Sequence, residues 1–231
     1  MEYKQFYRRK LPHIHSPGAT LFVTFRLAGS IPKSVIENWK HEKLWLEKER
    51  ERVASDRVTQ SQTESLLAFH RRWFAKFEEV LHKEETGPLW LKEEDIANSV
   101  SESLKYRDGK VYKLHCFCIM PNHVHVVFTP FLKEQSLTEI KFSNPRRFES
   151  SEPTLGATMQ SLKGYTAHEA NKLLNRAGQF WETESYDHEI RDAEEFDRII
   201  KYVLDNPVKA GLIQNRQDWK WNFLQGCRTG C

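Results

Sequence analysis

A chain of 231 residues and 27.3 kDa is long enough for one large domain or two small ones, and it can bury a core without disulfide staples. Apolar residues make up 39% and charged residues 29%, with seven Trp, seven Tyr and fourteen Phe, which excludes an intrinsically disordered chain. The net charge of +3 is an average. Residues 37–110 hold 14 basic and 16 acidic side chains, whereas residues 1–36 carry Lys4, Arg8, Arg9, Lys10, Arg26 and Lys33 against Glu2 alone. Basic residues interleaved with Tyr3, Phe6 and Tyr7 suit a surface that tracks a nucleic-acid backbone, or equally a solvated arm.

The first element is a strand over 19–28, where Leu21, Val23, Phe25 and Leu27 alternate with Phe22, Thr24 and Arg26. From Pro32 the pattern changes to charged segments with helical spacing, roughly 33–54, 62–84 and 92–105, broken at Gly87-Pro88. Trp39, Trp45, Leu66, Phe69, Trp73 and Phe77 supply their buried stripes. After Asp108-Gly109, two strands over 111–119 and 123–129 flank Met120-Pro121-Asn122 and read as an antiparallel pair. Residues 133–153 read as a loop, 154–176 as a helix weakened at Gly164, and 179–190 as an extended piece with a turn. Asp192 with Glu195 three residues on forms a capping box, opening a helix of Phe196, Ile199, Ile200, Val203 and Leu204 that Pro207 closes.

Within this frame His123 and His125 alternate with Val124, Val126 and Phe128. The two imidazoles project from one face, about 6.6 Å apart along the strand, so they can hold one divalent ion outward while the valines enter the core. Any strand with two polar positions has the same pattern. Tyr202 and Asn206 lie four residues apart, about 40° around the last helix, off the centre of its apolar stripe and able to face a cleft. Cys116 and Cys118 could join the histidines in a Cys₂His₂ zinc site, or be small packed side chains. With Cys227 and Cys231 they form no C-x-x-C pair, so reduced thiols are expected. No apolar run reaches about 18 residues and no signal-peptide pattern opens the chain; the expectation is a cytoplasmic protein, nucleoid-associated when bound to DNA.

Three stretches in order, Arg8-Arg-Lys-Leu-Pro12 with Gly18 through Gly29, Met120-Pro-Asn-His-Val-His-Val-Val127, and Tyr202-Val-Leu-Asp-Asn-Pro-Val-Lys-Ala-Gly211, resemble the REP-associated tyrosine transposases. These belong to the HUH single-strand DNA nucleases with one catalytic tyrosine. Ser161 to Thr166, Phe180-Trp181 and Tyr186 to Arg191 resemble further landmarks of that family. The resemblance implies an α+β, ferredoxin-like antiparallel sheet with helices on one face, one catalytic domain over 1–231 interrupted by a helical insertion at about 37–106. It implies Tyr202 as nucleophile, with Tyr165 as the rival tyrosine. His123, His125 and Asn206 become ligands of Mg²⁺ or Mn²⁺, and the substrate becomes single-stranded or hairpin DNA cleaved through a 5′-phosphotyrosine. Arg8, Arg9, Lys10 and Arg26 are expected to contact phosphates. A DNA-binding protein of the same fold that has lost cleavage is the alternative. The resemblance is compatible with a monomer or a homodimer.

Overall fold

The computed structural model describes residues 7–8, 12–13, 16–32, 34–37, 74–83, 87–132 and 155–226. Arg9 and Lys10, Cys227 and Cys231, the loop over 133–153, and 38–73 of the charged segments lie outside the described residues.

Two short strands, β1 (Tyr7–Arg8) and β2 (Pro12–His13), pair with one another at the front. The main sheet is built from β3 (Leu21–Arg26), β4 (Tyr112–Ile119), β5 (His123–Pro130), β6 (Tyr186–Glu189) and β7 (Asn222–Leu224). Its order is β6-β3-β5-β4-β7 and every pairing is antiparallel. Besides a helical stretch at residues 34–37, the α-helices among the described residues are α1 (residues 74–82), α2 (Glu94–Arg107), α3 (Leu155–Leu173), α4 (Ala193–Leu204) and the single turn α5 (Asn206–Lys209). The α+β class and the antiparallel sheet agree with the sequence reading, and the strand boundaries move by one or two residues.

Side-chain alternation assigns the two faces of the sheet. Leu21, Val23 and Phe25 of β3 and Val124, Val126 and Phe128 of β5 pack with Ile96, Val100 and Leu104 of α2 and Met159 and Leu162 of α3. On the other face Phe22, Cys116, Cys118 and Val127 pack with Val203 and Leu204 of α4, and Phe74 of α1 joins them. A bulge between Leu114 and Cys116 switches the parity of β4, so both cysteines reach this second face while Phe117 and Ile119 join the first.

Two expectations change here. Helices cover both faces, because α4 carries an apolar stripe of its own that only the second face can bury. The helix expected near 92–105 is not part of an insertion set apart from the core: α2 buries Ile96, Ala97, Val100 and Leu104 against β3, β4 and β5. Its stripe is narrow, and its charged remainder conceals it in the sequence.

The α4 entry follows its sequence signal with one alteration. Asp192 caps the helix, its carboxylate accepting from the Glu195 amide at 2.7 Å, but the Glu195 carboxylate accepts from the Arg191 amide and His188 instead of returning to Asp192. Burial opposes the charge on Glu195, yet the Arg191 amide and His188 outweigh it and hold the carboxyl below its usual range. A lowered carboxyl stabilises the fold above its unfolded value and loses that contribution as pH falls through the folded one. Glu195→Gln should therefore reduce stability at pH 7 by about 1 kcal/mol. Urea titrations at pH 7 and pH 3 should show the gap between variant and wild type closing at the lower pH.

Candidate metal and nucleophile site

The second face of the sheet carries the chemistry. His123 and His125 of β5 stand there at 1% and 0% exposure, so they are buried and not outward-facing as the sequence reading had them. The cover consists of α4 and, unexpectedly, α1. Phe74, Phe77, Glu78, Leu81 and His82 fall on one stripe of α1 by the i, i+3, i+4, i+7, i+8 rule. Phe77 and Leu81 anchor that stripe on Ile31. The same stripe carries the carboxylate of Glu78, 5% exposed, toward the histidines.

Glu78 Oε2 is the meeting point. The Tyr202 hydroxyl donates to it at 2.5 Å, His125 Nε2 lies 3.2 Å away, and Asn206 Nδ2 donates at 3.4 Å. His82 Nε2 donates to Asn206 Oδ1 at 2.9 Å. Glu78 Oε1 is buried with no hydrogen-bond partner. Tyr202 and Asn206 thus converge on Glu78, although α4 ends at Leu204 and Asn206 opens the next turn, where Pro207 has no amide to continue the ladder.

The histidines are oriented from behind. Asn122 Nδ2 donates to the Leu81 carbonyl at 2.9 Å, which turns its amide oxygen toward His123 Nδ1 at 2.6 Å. An amide oxygen only accepts, so His123 carries its proton on Nδ1 and presents the Nε2 lone pair. That nitrogen lies 3.0 Å from His125 Nε2, while His125 Nδ1 shares a hydrogen bond with Thr24 Oγ1 at 2.8 Å. Burial, then the neighbouring His125, keeps the His123 pKa well below the ordinary imidazole value, so it is the neutral form that ligates metals. Burial would raise the Glu78 carboxyl, but His125, His123 and the Tyr202 hydrogen bond more than offset it and leave the group ionised. Burial and the Glu78 charge push Tyr202 upward, so its phenol is firmly protonated in this arrangement.

Glu78, His123 and His125 offer donor atoms that all lie within 4.8 Å of one another, a set that could hold a metal ion. Two imidazoles and a buried carboxylate suit a divalent cation. Cys116 and Cys118 lie on this face but are packed thiols, raised by burial, and are not in the donor set. The Tyr202 ring is held by Phe22, Phe74 and the cation of Lys209, whose Nζ lies 4.2 Å from its centre.

The remaining expected residues are elsewhere. Tyr165 is 54% exposed on α3, beside Tyr106 and Arg107, on the face of the sheet opposite the histidines. Arg26 pairs with His123 in the β3–β5 ladder, but its guanidinium is buried on Glu182 at 3.4 Å and Ser30, so it is not a free phosphate contact. Arg8 lies in β1. Glu78, His82, Asn122 and Thr24 escaped the sequence reading. The available signal for the first was a Glu placed inside an apolar helical stripe, since Glu is almost never fully buried unless paired.

Asn122→Ala would strand two buried groups, the Leu81 carbonyl and the His123 N–H. At about 1–3 kcal/mol for each unmade bond, urea unfolding should show a loss on the order of 3 kcal/mol.

Comparison with protein-family models finds no match. The chain is 24% identical over 106 residues to the "Putative REP-associated tyrosine transposase" of Haemophilus influenzae, covering 46% of this chain and 54% of that protein. It therefore spans about half the length of that curated relative. A solved structure described as "Structure of the REP associates tyrosine transposase bound to a REP hairpin" aligns over 94% of this chain and 80% of its own, with a TM-score of 0.46 and 14% identity. In sequence, the chain is similar to the REP-associated tyrosine transposases.

Proposed function

We propose that this chain is a metal-dependent single-strand DNA endonuclease and strand transferase acting at hairpin-forming repeats. The observation that carries this reading is the convergence of Tyr202, His123 and His125 around one buried carboxylate, contributed by three separate elements. The order strand, helix, two strands, helix, strand, with the last and first strands adjacent, supports reading the sheet as ferredoxin-like.

In this reading His123 and His125 are the imidazole ligands, with a third donor from the helices opposite. Mg²⁺ or Mn²⁺ bound there would withdraw charge from a nonbridging oxygen of the phosphodiester. Tyr202 is the nucleophile. Its phenolic oxygen bonds to phosphorus as the bond to the 3′ oxygen breaks, the phenol gives up its proton, and the leaving oxygen takes one. The products are a 5′-phosphotyrosine and a free 3′-hydroxyl, and no water or ATP is consumed. Because Tyr202 starts protonated and bonded to Glu78, that hydrogen bond must be surrendered during attack. Lys209 stands over the ring, where a cation favours a developing phenolate. Arg8, Arg9 and Lys10 provide the phosphate contacts of the DNA path, whereas Arg26 braces the strand beside His123.

Incubation with a labelled hairpin oligonucleotide and Mn²⁺ should give a covalent adduct that survives denaturant and is lost when the ion is chelated. Tyr165→Phe should retain it, and Tyr202→Phe should lower it by on the order of 10³ or more. Hairpin binding by the wild type with no adduct would replace this reading with that of a DNA-binding protein lacking cleavage.

A further inference from the structure

Resting on the metal reading above, we propose that Glu78 is the third protein ligand of the ion, and that it ties the ion to the nucleophile by using one carboxylate oxygen for each. Asn206, expected from the sequence to be that ligand, is instead a positioning residue.

The atoms of Asn206 are committed elsewhere. Its only ligating atom, Oδ1, accepts from His82 Nε2 at 2.9 Å, and its amide nitrogen donates to Glu78 Oε2. Asn206 and His82 together therefore brace Glu78. Glu78 has the opposite situation. Its Oε2 is taken by the Tyr202 hydroxyl, whereas Oε1 is buried without a partner. A carboxylate oxygen that is both buried and unpaired is costly unless something neutralises it. The nearest chemistry able to do so is a cation shared with the two imidazoles grouped with the Glu78 carboxylate. Anionic oxygen is also a better ligand than an amide carbonyl for Mg²⁺ or Mn²⁺.

The assignment gives α1 a purpose that its charged sequence conceals. The histidines come from the sheet and the tyrosine from α4, and the residue joining them comes from a helix lying between β3 and β4 in the chain. It also fixes the orientation of the nucleophile. An ion held at Oε1 shares the carboxylate charge, which leaves Oε2 a weaker acceptor for the Tyr202 hydroxyl than a bare carboxylate would be.

The test is spectroscopic and uses the full chain loaded with Mn²⁺. Protein made by cell-free synthesis with glutamate ¹³C-labelled at the side-chain carboxyl should show a ¹³C hyperfine coupling to Mn²⁺ by electron–nuclear double resonance. The coupling should vanish in Glu78→Gln and be absent when asparagine carries the label instead. Free-Mn²⁺ titration should show Glu78→Gln binding at least tenfold more weakly, since even partners one shell out typically cost about 10–100-fold. A coupling from labelled asparagine with none from glutamate would overturn the proposal and leave the metal reading intact. Mn²⁺ binding unaffected by His123→Ala would remove both. Circular dichroism checks that Glu78→Gln folds, and the labelled wild type decides the matter if it does not.

Discussion

The site depends on the placement of one ionised carboxylate where water cannot reach it. Such a group is tolerated only when surrounding donors replace its hydration, and Glu78 collects them from Tyr202, Asn206 and His125, with His82 bracing Asn206 behind them. Each donor belongs to a part of the chain that packs for its own reasons. The histidines stand on a strand whose alternate residues build the main core, and Tyr202 is clamped by Phe22 and Phe74. Packing fixes the elements, and the carboxylate then fixes how their polar atoms meet.

The sheet makes this arrangement affordable because its two faces are given different tasks. One is covered by α2 and α3 and is mainly apolar, with hydroxyls such as Thr166, which donates to Leu162, bonded within the helices. The other mixes Phe22, Cys116, Cys118 and Val127 with the histidines. Residues His123 to Phe128 are consequently buried on both sides. A strand closed in this way has little freedom to let its imidazoles swing, and Asn122 and Thr24 remove what is left.

What could be read from the chain followed its periodicity. The period-two strands, the Asp192 cap and the pairing of Tyr202 with Asn206 all arise from contacts between near neighbours in sequence, and they were legible. What was not legible arises from long-range contacts. Glu78 lies 124 residues from Tyr202, and its stripe of Phe74, Phe77 and Leu81 reads as an ordinary amphipathic surface. The charged residues that make 37–106 read as an insertion conceal both Glu78 and the core role of α2. The burial of the histidines is hidden for the same reason, since the helix that covers them lies more than 40 residues away in the chain. Glu182, 156 positions away, gives no local sign that it pairs with Arg26.

The bonds made by α1 have a mechanical meaning. Glu78 holds Tyr202, His82 holds Asn206, and the Leu81 carbonyl holds Asn122 and through it His123. These three attachments occur within about one helical turn, so a rigid helix cannot release one and keep the others. A slide of α1 along its axis by a few ångströms would unmake the tautomer lock, the nucleophile's anchor and the amide brace in a single event. The polar cluster is thereby tied together through a single helix, so its bonds would be made or lost as one cooperative unit.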